Sequence, residues 1–595
     1  MKTLLVMPNY NYGGPYAPSV GLMCLSSYLK GCGFDVSCVN LNHYPPGKLA
    51  HTLRVEAFDI VATGGIFTYY PQIREVIDTT RQVSPRSRVV LGGPIASADP
   101  QFAMDSLQPD FLVLGEGEKP MADLIQALGA GTPPEAVAGL AFREQGVLAQ
   151  TPPAVIIEDL DSAPWPDYEG FEFGRCVDSF SLSGWFSSPV GAQGGQPERI
   201  ASIATGRGCP AQCTFCYHLT PRYRNRSIDN VIAEIEHLVS RYRINAINLW
   251  DDVFAASPKR LLDFCARIKP LNLPWSCALR VSVVTEDILR AMKEAGCHVV
   301  FYGLESASAT VLRSMRKGIS VAQIEKALGL TLRAGISLRG NFIFGDPAET
   351  WQTVEETLSF YRTHRRDFSS SLSLGYITPY PGTALYQDLK SRGRFKDLRR
   401  FYETGLDENG EPINMTRMPD RDFKRLIERV LPAQERQARV FGKVLRRREL
   451  RPNSYAITYR CPFCSGVSEG LLLAALAGSP VNSFKVTCLK CLQRPSVGRR
   501  DLLGLRQALA FSGRLVLAAW WSGLKRTRLF AWFRYHPTVD RFWNHYKEET
   551  VAWHISHPDM PTFQELAFLP AVKCRLRFFW ELLNHIVRRA PGHTD

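Results

Sequence analysis

Twelve residues constrain this chain more than any others: Gly206-Arg207-Gly208-Cys209-Pro210-Ala211-Gln212-Cys213-Thr214-Phe215-Cys216-Tyr217. Three cysteines spaced Cys-x-x-x-Cys-x-x-Cys can wrap one face of a cubane iron–sulfur cluster. A cluster held wholly by protein takes four thiolates, so three leave one iron free to bind something else. The small residues before the first cysteine let the backbone curl around a bulky group. Arg207 is expected to add positive charge beside a thiolate-rich anion. The bland alternatives are a zinc site or a chance group of structural thiols. Three thiols within eight residues at this spacing favour the cluster, with Cys209, Cys213 and Cys216 as the catalytic ligands.

The motif resembles the signature of the radical S-adenosylmethionine (SAM) superfamily, in which Phe215, just before the third cysteine, is also typical. The resemblance implies that the open iron is chelated by SAM, whose reductive cleavage yields methionine and a 5′-deoxyadenosyl radical. It brings Phe215 and Tyr217 into the expected SAM environment.

A chain of 595 residues is too long for one core and predicts three or four domains. Its 15 cysteines suit a reducing compartment and metal ligation better than a disulfide framework. The opening Met1-Lys2-Thr3-Leu4-Leu5-Val6-Met7-Pro8 is too short an apolar run for a secretory leader. No apolar run reaches the length of a membrane span. The expected setting is cytoplasmic, peripheral to a membrane at most.

Residues 1–130 alternate short apolar strands with glycine turns and helices. Leu4–Met7, Phe34–Leu41, Asp59–Thr63, Val89–Leu91 and Phe111–Leu114 predict a doubly wound parallel α/β sheet. Its glycines (Gly64, Gly65, Gly92, Gly93, Gly115 and Gly117) fall after strands, where such sheets bind ligands. No Gly-x-Gly-x-x-Gly follows the first strand. Gly-Gly-Pro-Ile-Ala-Ser followed by Leu-Gly-Glu-Gly-Glu resembles the cobalamin-binding domain that precedes many radical SAM domains. That resemblance implies cobalamin held by those glycines and Glu116. The Asp-x-His-x-x-Gly motif that supplies cobalt with a histidine is missing, and His43 is read as a solvated loop residue, so cobalamin is expected without a protein histidine ligand.

Residues 131–195 are rich in proline, glycine and serine and read as a linker. Pro164-Trp165-Pro166-Asp167-Tyr168 resembles the leader into the following domain. Residues 196–395 hold six strand–helix units, with strands at Ile200–Thr205, Ala246–Trp250, Trp275–Arg280, His298–Tyr302, Leu338–Phe344 and Leu372–Ile377. Polar residues follow each strand, at the rim where βα-barrels place their chemistry. The resemblance implies a partial (β/α)6 radical SAM barrel. Asp252, Arg280 and Glu305 are of the right types at the right strand ends to hold SAM, although Asp252 also suits a helix cap and Arg280 a surface ion pair. Gly345 is expected to give backbone room beside adenine. Cys265, Cys277 and Cys297 lack ligand spacing and are expected to be core thiols.

Residues 396–455 read as a helical extension, with Phe423, Leu426, Ile427, Val430 and Leu431 at helix spacing, packed on the open side of the barrel. In 456–498, Cys461-Pro462-Phe463-Cys464 and Cys488-Leu489-Lys490-Cys491 stand 23 residues apart. Two such knuckles make a four-thiolate, zinc-ribbon-like site for zinc or a second iron–sulfur centre. Residues 499–595 form a basic, aromatic tail. Ser496 to Asp595 carries 15 Lys/Arg against 8 Asp/Glu, and six of the eleven tryptophans lie between Trp520 and Trp580. Basic amphipathic helices of this kind suit either a membrane surface or a helical cap on the protein itself. No nucleic-acid motif accompanies the charge.

Taken with the resemblance, the expected activity is that of a cobalamin-dependent radical SAM enzyme methylating an unactivated carbon. Cyclisation, oxidation or rearrangement without methyl transfer is the alternative, and a non-catalytic iron–sulfur binding protein is the rival from another class. The implied partners are a small-molecule or lipid-like substrate and an electron donor such as flavodoxin or ferredoxin.

Overall fold

Leu4, Leu5, Val6 and Met7 are apolar at every position, and all four are buried. A strand apolar on both sides needs cover on both faces, and side chains alternate between faces. Leu5 and Met7 accordingly join one core with Leu22, Met23 and Leu29 of the helix Val20–Gly31. Leu4 and Val6 join another with Leu49, Leu53 and Val76 from the helices Lys48–Val55 and Tyr70–Val83. The computed structural model describes residues 1–10, 18–179, 199–220, 222–364, 372–438, 441–451, 454–473, 483–486, 488, 490–491 and 495–498. The tail 499–595 lies outside the described residues.

Strand β1 (Lys2–Met7) is central to a sheet of order β2-β1-β3-β4-β5-β6-β7. The first five, with β2 (Asp35–Asn40), β3 (Ile60–Gly64), β4 (Arg88–Gly92) and β5 (Phe111–Val113), are parallel. The strand order reverses between β1 and β3, which places a ligand crevice at their carboxyl ends. The stretch read as a linker adds the antiparallel hairpin β6 (Leu140–Glu144) and β7 (Val147–Gln150). Its Gln145-Gly146 turn has positive φ at both residues, the geometry a two-residue hairpin demands. Tight turn chemistry hidden among prolines is why the sequence reading passed over it.

The second sheet runs β8 (Ile200–Ile203), β11 (Ala246–Leu249), β12 (Trp275–Leu279), β13 (Cys297–Glu305), β14 (Ser337–Phe344) and β15 (Leu372–Tyr376), each parallel to the next. β8 and β15 are the two edges, so the sheet does not close on itself. Between β8 and β11 lie two short strands, β9 (Gly206–Arg207) and β10 (Arg224–Asn225). The helix Ile228–Tyr242 starts at Ser227, whose hydroxyl accepts from Asn230 N, and buries Val231, Ile235 and Leu238. Cys265, Cys277 and Cys297 are buried thiols, as expected.

After the barrel, Phe423, Leu426, Ile427 and Val430 of the helix Asp420–Ala438 enter the barrel core. The helical reading of 396–455 fails at its end, because Lys443–Arg451 is a strand, β16, paired antiparallel with β17 (Ser454–Arg460). Val444 faces Tyr459 across that ladder. Three consecutive arginines had masked a strand on the edge of the sheet.

Candidate active site

The cysteine loop is anchored at its root by Asp251, two residues past β11. This carboxylate accepts from Thr205 N at 2.7 Å, Thr205 Oγ1 at 2.7 Å and Gly206 N at 3.0 Å. Burial pushes its carboxyl up to about 7, against those hydrogen bonds. β9 then pairs with β10, so residues 208–223 form an excursion closed at its base that carries all three cysteines. Gly208 has φ +79, and a Cβ there would stand 2.5 Å from Arg222 O. Thr214 N donates to Met315 O, and Leu385 N donates to Thr214 O.

Cys213 is buried, Cys209 half-buried and Cys216 exposed, a graded approach from the barrel to open space. The hydrogen bond with Cys216 holds the Cys213 thiol below its ordinary range, helped by the charges of Lys317 and Arg280. Burial raises Cys209, while Arg280 opposes the rise. Glu305, at the end of β13 with φ +60, pairs through Oε1 with Lys317 Nζ at 2.6 Å, and both side chains are nearly buried. Arg280 Nη2 donates to Lys317 O at 2.6 Å, and Lys317 Nζ lies 5.8 Å from the centre of the Phe215 ring. Burial raises the Asp252 carboxyl, and His218 counters it. Both ring nitrogens of His218 are buried without a hydrogen-bond partner among the described residues.

The structure therefore gathers Phe215, Asp252, Arg280 and Glu305 about the three thiols. It also brings in Lys317 and His218, which sequence reasoning missed. Neither stands at a telling spacing: one is a lysine in a basic loop, the other a lone histidine after the motif. Three thiols faced by a lysine and an arginine suit an anionic cluster.

Two expected SAM-side residues serve other contacts. Gly345 faces the post-barrel helix, since a Cβ there would meet the Phe423 ring at 3.4 Å. Tyr217 shares a hydrogen bond with Ser97 of the N-terminal domain, and its ring leaves no room for a side chain at Gly382. Ser97 Oγ in turn accepts from Gly115 N at 2.9 Å, so Tyr217 reaches the rim of the crevice.

Arg207 and Glu116 also differ from expectation. Arg207 turns to the N-terminal domain instead of standing free beside the cysteines, donating to Glu116 Oε2 at 2.8 Å and Glu118 Oε1 at 2.5 Å. Arg224, its neighbour across the β9–β10 pair, also binds Glu116. Glu116 is thus committed to two arginines with its side chain 6% exposed, which leaves little of it for a ligand. A second seam joins Asp99 Oδ2 to Tyr386 Oη at 2.7 Å and Lys390 Nζ at 2.5 Å.

Of the crevice glycines, Gly64 and Gly92 allow adjoining strands to end close together, a Cβ on Gly64 falling 2.6 Å from Gly92 O. Gly93 approaches Gly65 in the same way, and Gly117 meets Val113 and Leu25. Only Gly115 among these six has nothing among the described residues within 4 Å of a Cβ. An open rim at the carboxyl edge of the sheet fits a broad, flat ligand. His43 is no solvated loop residue: its side chain is 3% exposed and its Nδ1 lies 3.3 Å from Glu172 Oε2.

Glu349, in the turn after β14, accepts from Thr353 Oγ1 at 2.6 Å and Gly345 N at 3.3 Å. Burial raises its carboxyl to about 7 from the ordinary 4.5. The folded chain therefore binds the proton more tightly than the unfolded one. Its stabilising effect is full below pH 4.5 and is lost as pH rises through 7. Denaturant unfolding of Glu349→Gln should show a weaker fall in stability across this window than the parent, a difference on the order of 1–3 kcal/mol.

Residues 203–361 match the Radical SAM superfamily profile, and residues 12–125 match that of the B12 binding domain. A Pyrococcus horikoshii protein named as an uncharacterized methyltransferase is 30% identical over 400 residues, covering 65% of this chain and 83% of the relative. The anaerobic magnesium-protoporphyrin IX monomethyl ester cyclase of Cereibacter sphaeroides is 29% identical over 420 residues, covering 67% of this chain and 66% of that one. Among solved structures, the radical SAM methyltransferase TsrM of Kitasatospora setae, with cobalamin and a [4Fe-4S] cluster bound, aligns with a TM-score of 0.54 at 20% identity. That alignment covers 69% of this chain and 83% of TsrM, and it shows a shared fold.

Proposed function

This chain belongs to the radical SAM enzymes that carry a B12-binding domain, and from that premise we propose that it methylates an unactivated carbon of a small molecule. The observation that carries the reading is the seam between the two sheets. Arg207 and Arg224 flank the cysteine loop; Arg207 binds both Glu116 and Glu118, which follow β5, and Arg224 binds Glu116. Chemistry begun at the cysteines and completed at the crevice needs one substrate within reach of both, and this seam fixes their separation.

Cys209, Cys213 and Cys216 would hold the [4Fe-4S] cluster, and the rim at Gly115 would border cobalamin. When bound, the cluster supplies the electron that cleaves SAM, and cobalamin supplies a transferable methyl group. The chain's own part is to bind, orient and exclude water. Lys317 and Arg280 offer cations for a carboxylate, and Glu305 an acceptor for an ammonium or hydroxyl, which are the groups SAM presents. Because Glu305 and Lys317 neutralise each other at 2.6 Å, binding of SAM would exchange that pair for ligand contacts. Electrons would come from a small protein donor such as flavodoxin or ferredoxin. No helix among the described residues is long and apolar enough to cross a membrane.

The test uses SAM deuterated in its methyl group. Incorporation of the label into product, with 5′-deoxyadenosine formed alongside, is the expected result. Unlabelled product with continued 5′-deoxyadenosine formation would replace methyl transfer by the cyclase type of reaction, the type named for the 29% identical relative.

A further inference from the structure

The cysteines at 461, 464, 488 and 491 play no part in the site above, yet two separate turns converge to bring them together. Cys461 and Cys464 occupy the turn joining β17 to β18 (Val467–Leu473). Cys488 and Cys491 lie between β19 (Ser483–Lys485) and β20 (Ser496–Gly498), two strands that pair antiparallel. The first turn is tightly closed: Cys461 N donates to Gly466 O at 2.8 Å and Ser465 N to Cys461 O at 2.9 Å. Phe463 N points at Cys461 Sγ at 3.4 Å, an amide that would stabilise a thiolate. Gly442 N bonds Ser496 O at 2.8 Å, tying the second hairpin to the start of β16.

We infer that these four thiolates hold a single zinc ion, in a closed site whose role is to fold this β module. The sulfur spacing decides between one ion and a cluster. Cys461 Sγ and Cys491 Sγ are 3.7 Å apart, Cys464 Sγ and Cys488 Sγ are also 3.7 Å apart, and all four sulfurs lie within 4.8 Å of one another. A tetrahedron with zinc–sulfur bonds of about 2.3 Å has edges of roughly 3.8 Å. A cubane seats each thiolate on a different iron, which spreads the four sulfurs well beyond the ligands of one ion. The pairs are also too far apart for disulfides, whose sulfurs are bonded at about 2 Å.

Four thiolates complete the coordination and leave no open position, which makes the site structural. Ser468 Oγ, 3.2 Å from Cys488 Sγ, can donate to that sulfur and moderate its charge. The module needs such a staple, because its described apolar core is little more than Ile457, Tyr459, Val486 and Val497 around the buried Cys461 and Cys488. A core that small does not sustain a fold by itself.

The experiment measures metals on the full-length chain, purified anaerobically, beside two variants. The parent should carry one zinc per chain together with iron. A Cys209→Ala/Cys213→Ala/Cys216→Ala chain should lose its iron and keep its zinc. Cys461→Ser/Cys491→Ser should lose zinc and keep iron. Iron with a cluster absorption band persisting in the triple variant would overturn the inference in favour of a second cluster. A chain mass lower by four hydrogen atoms, without metal, would overturn it in favour of two disulfides. Should the serine variant fail to fold, growth of the parent in cobalt provides the second readout. Visible bands of tetrahedral thiolate-bound cobalt are expected, and their absence from cobalt-loaded protein counts against the site.

Discussion

Replacing Cys213 with alanine is expected to take the anaerobically reconstituted chain from about four cluster irons to near none, and SAM cleavage to background with them. Cys213 is the buried member of the triad, and its thiol is the one that Cys216, Lys317 and Arg280 favour as thiolate. Removing it therefore takes away the one buried ligand of the three. Iron analysis and 5′-deoxyadenosine formation under reducing conditions check the outcome together. A Cys213→Ala chain that still cleaves SAM would refute the cluster assignment on which the proposed reaction stands. Zinc in the C-terminal module should not change, which separates loss of the cluster from loss of the fold.

Neutralising Glu118 has a second large effect, of another kind. Glu118→Gln leaves Arg207 with Glu116 as its one remaining carboxylate, a loss that costs roughly 1–3 kcal/mol. Stability alone is a weak readout, so the informative quantity is methylated product per 5′-deoxyadenosine. The cysteines stay intact, and SAM cleavage should continue. Product should fall by roughly ten- to a hundredfold relative to cleavage, because a shift of about 1 Å between reacting parts is enough for that. Arg207→Met/Glu118→Leu sharpens the test, since apolar replacement of both partners tends to restore stability. If stability returns and coupling does not, the seam positions the two sheets. If both return together, the ion pairs only hold the fold.

Much of this is legible in the sequence itself. The cysteine spacing located the loop, and strands with polar residues after each gave the rim where Asp252, Arg280 and Glu305 meet. The glycines after strands stand at the carboxyl edge of the sheet, yet most of them serve backbone approach, and of the six only Gly115 has open space beside it among the described residues. What the sequence hid were partners distant along the chain. Arg207 looked like charge for the cysteines, because nothing local shows that Glu116, 91 residues earlier, would reach it first. A glycine after a strand suggests room for a ligand at Gly345, and a Cβ there would meet Phe423 from the post-barrel helix. Lys317 could not be singled out, since a lysine gains meaning here only from the Glu305 carboxylate brought next to it by the fold. The hairpin at 140–150 was lost among prolines, a case of turn chemistry obscured by composition.

The Asp99 contacts with Tyr386 and Lys390, taken with the arginine seam, give the two sheets two separate fasteners. A body attached at one point can swivel in any direction, whereas one attached at two can turn only about the line that joins them. Separation of the two sheets in any other direction therefore has to break charged contacts, at the arginines or at Asp99.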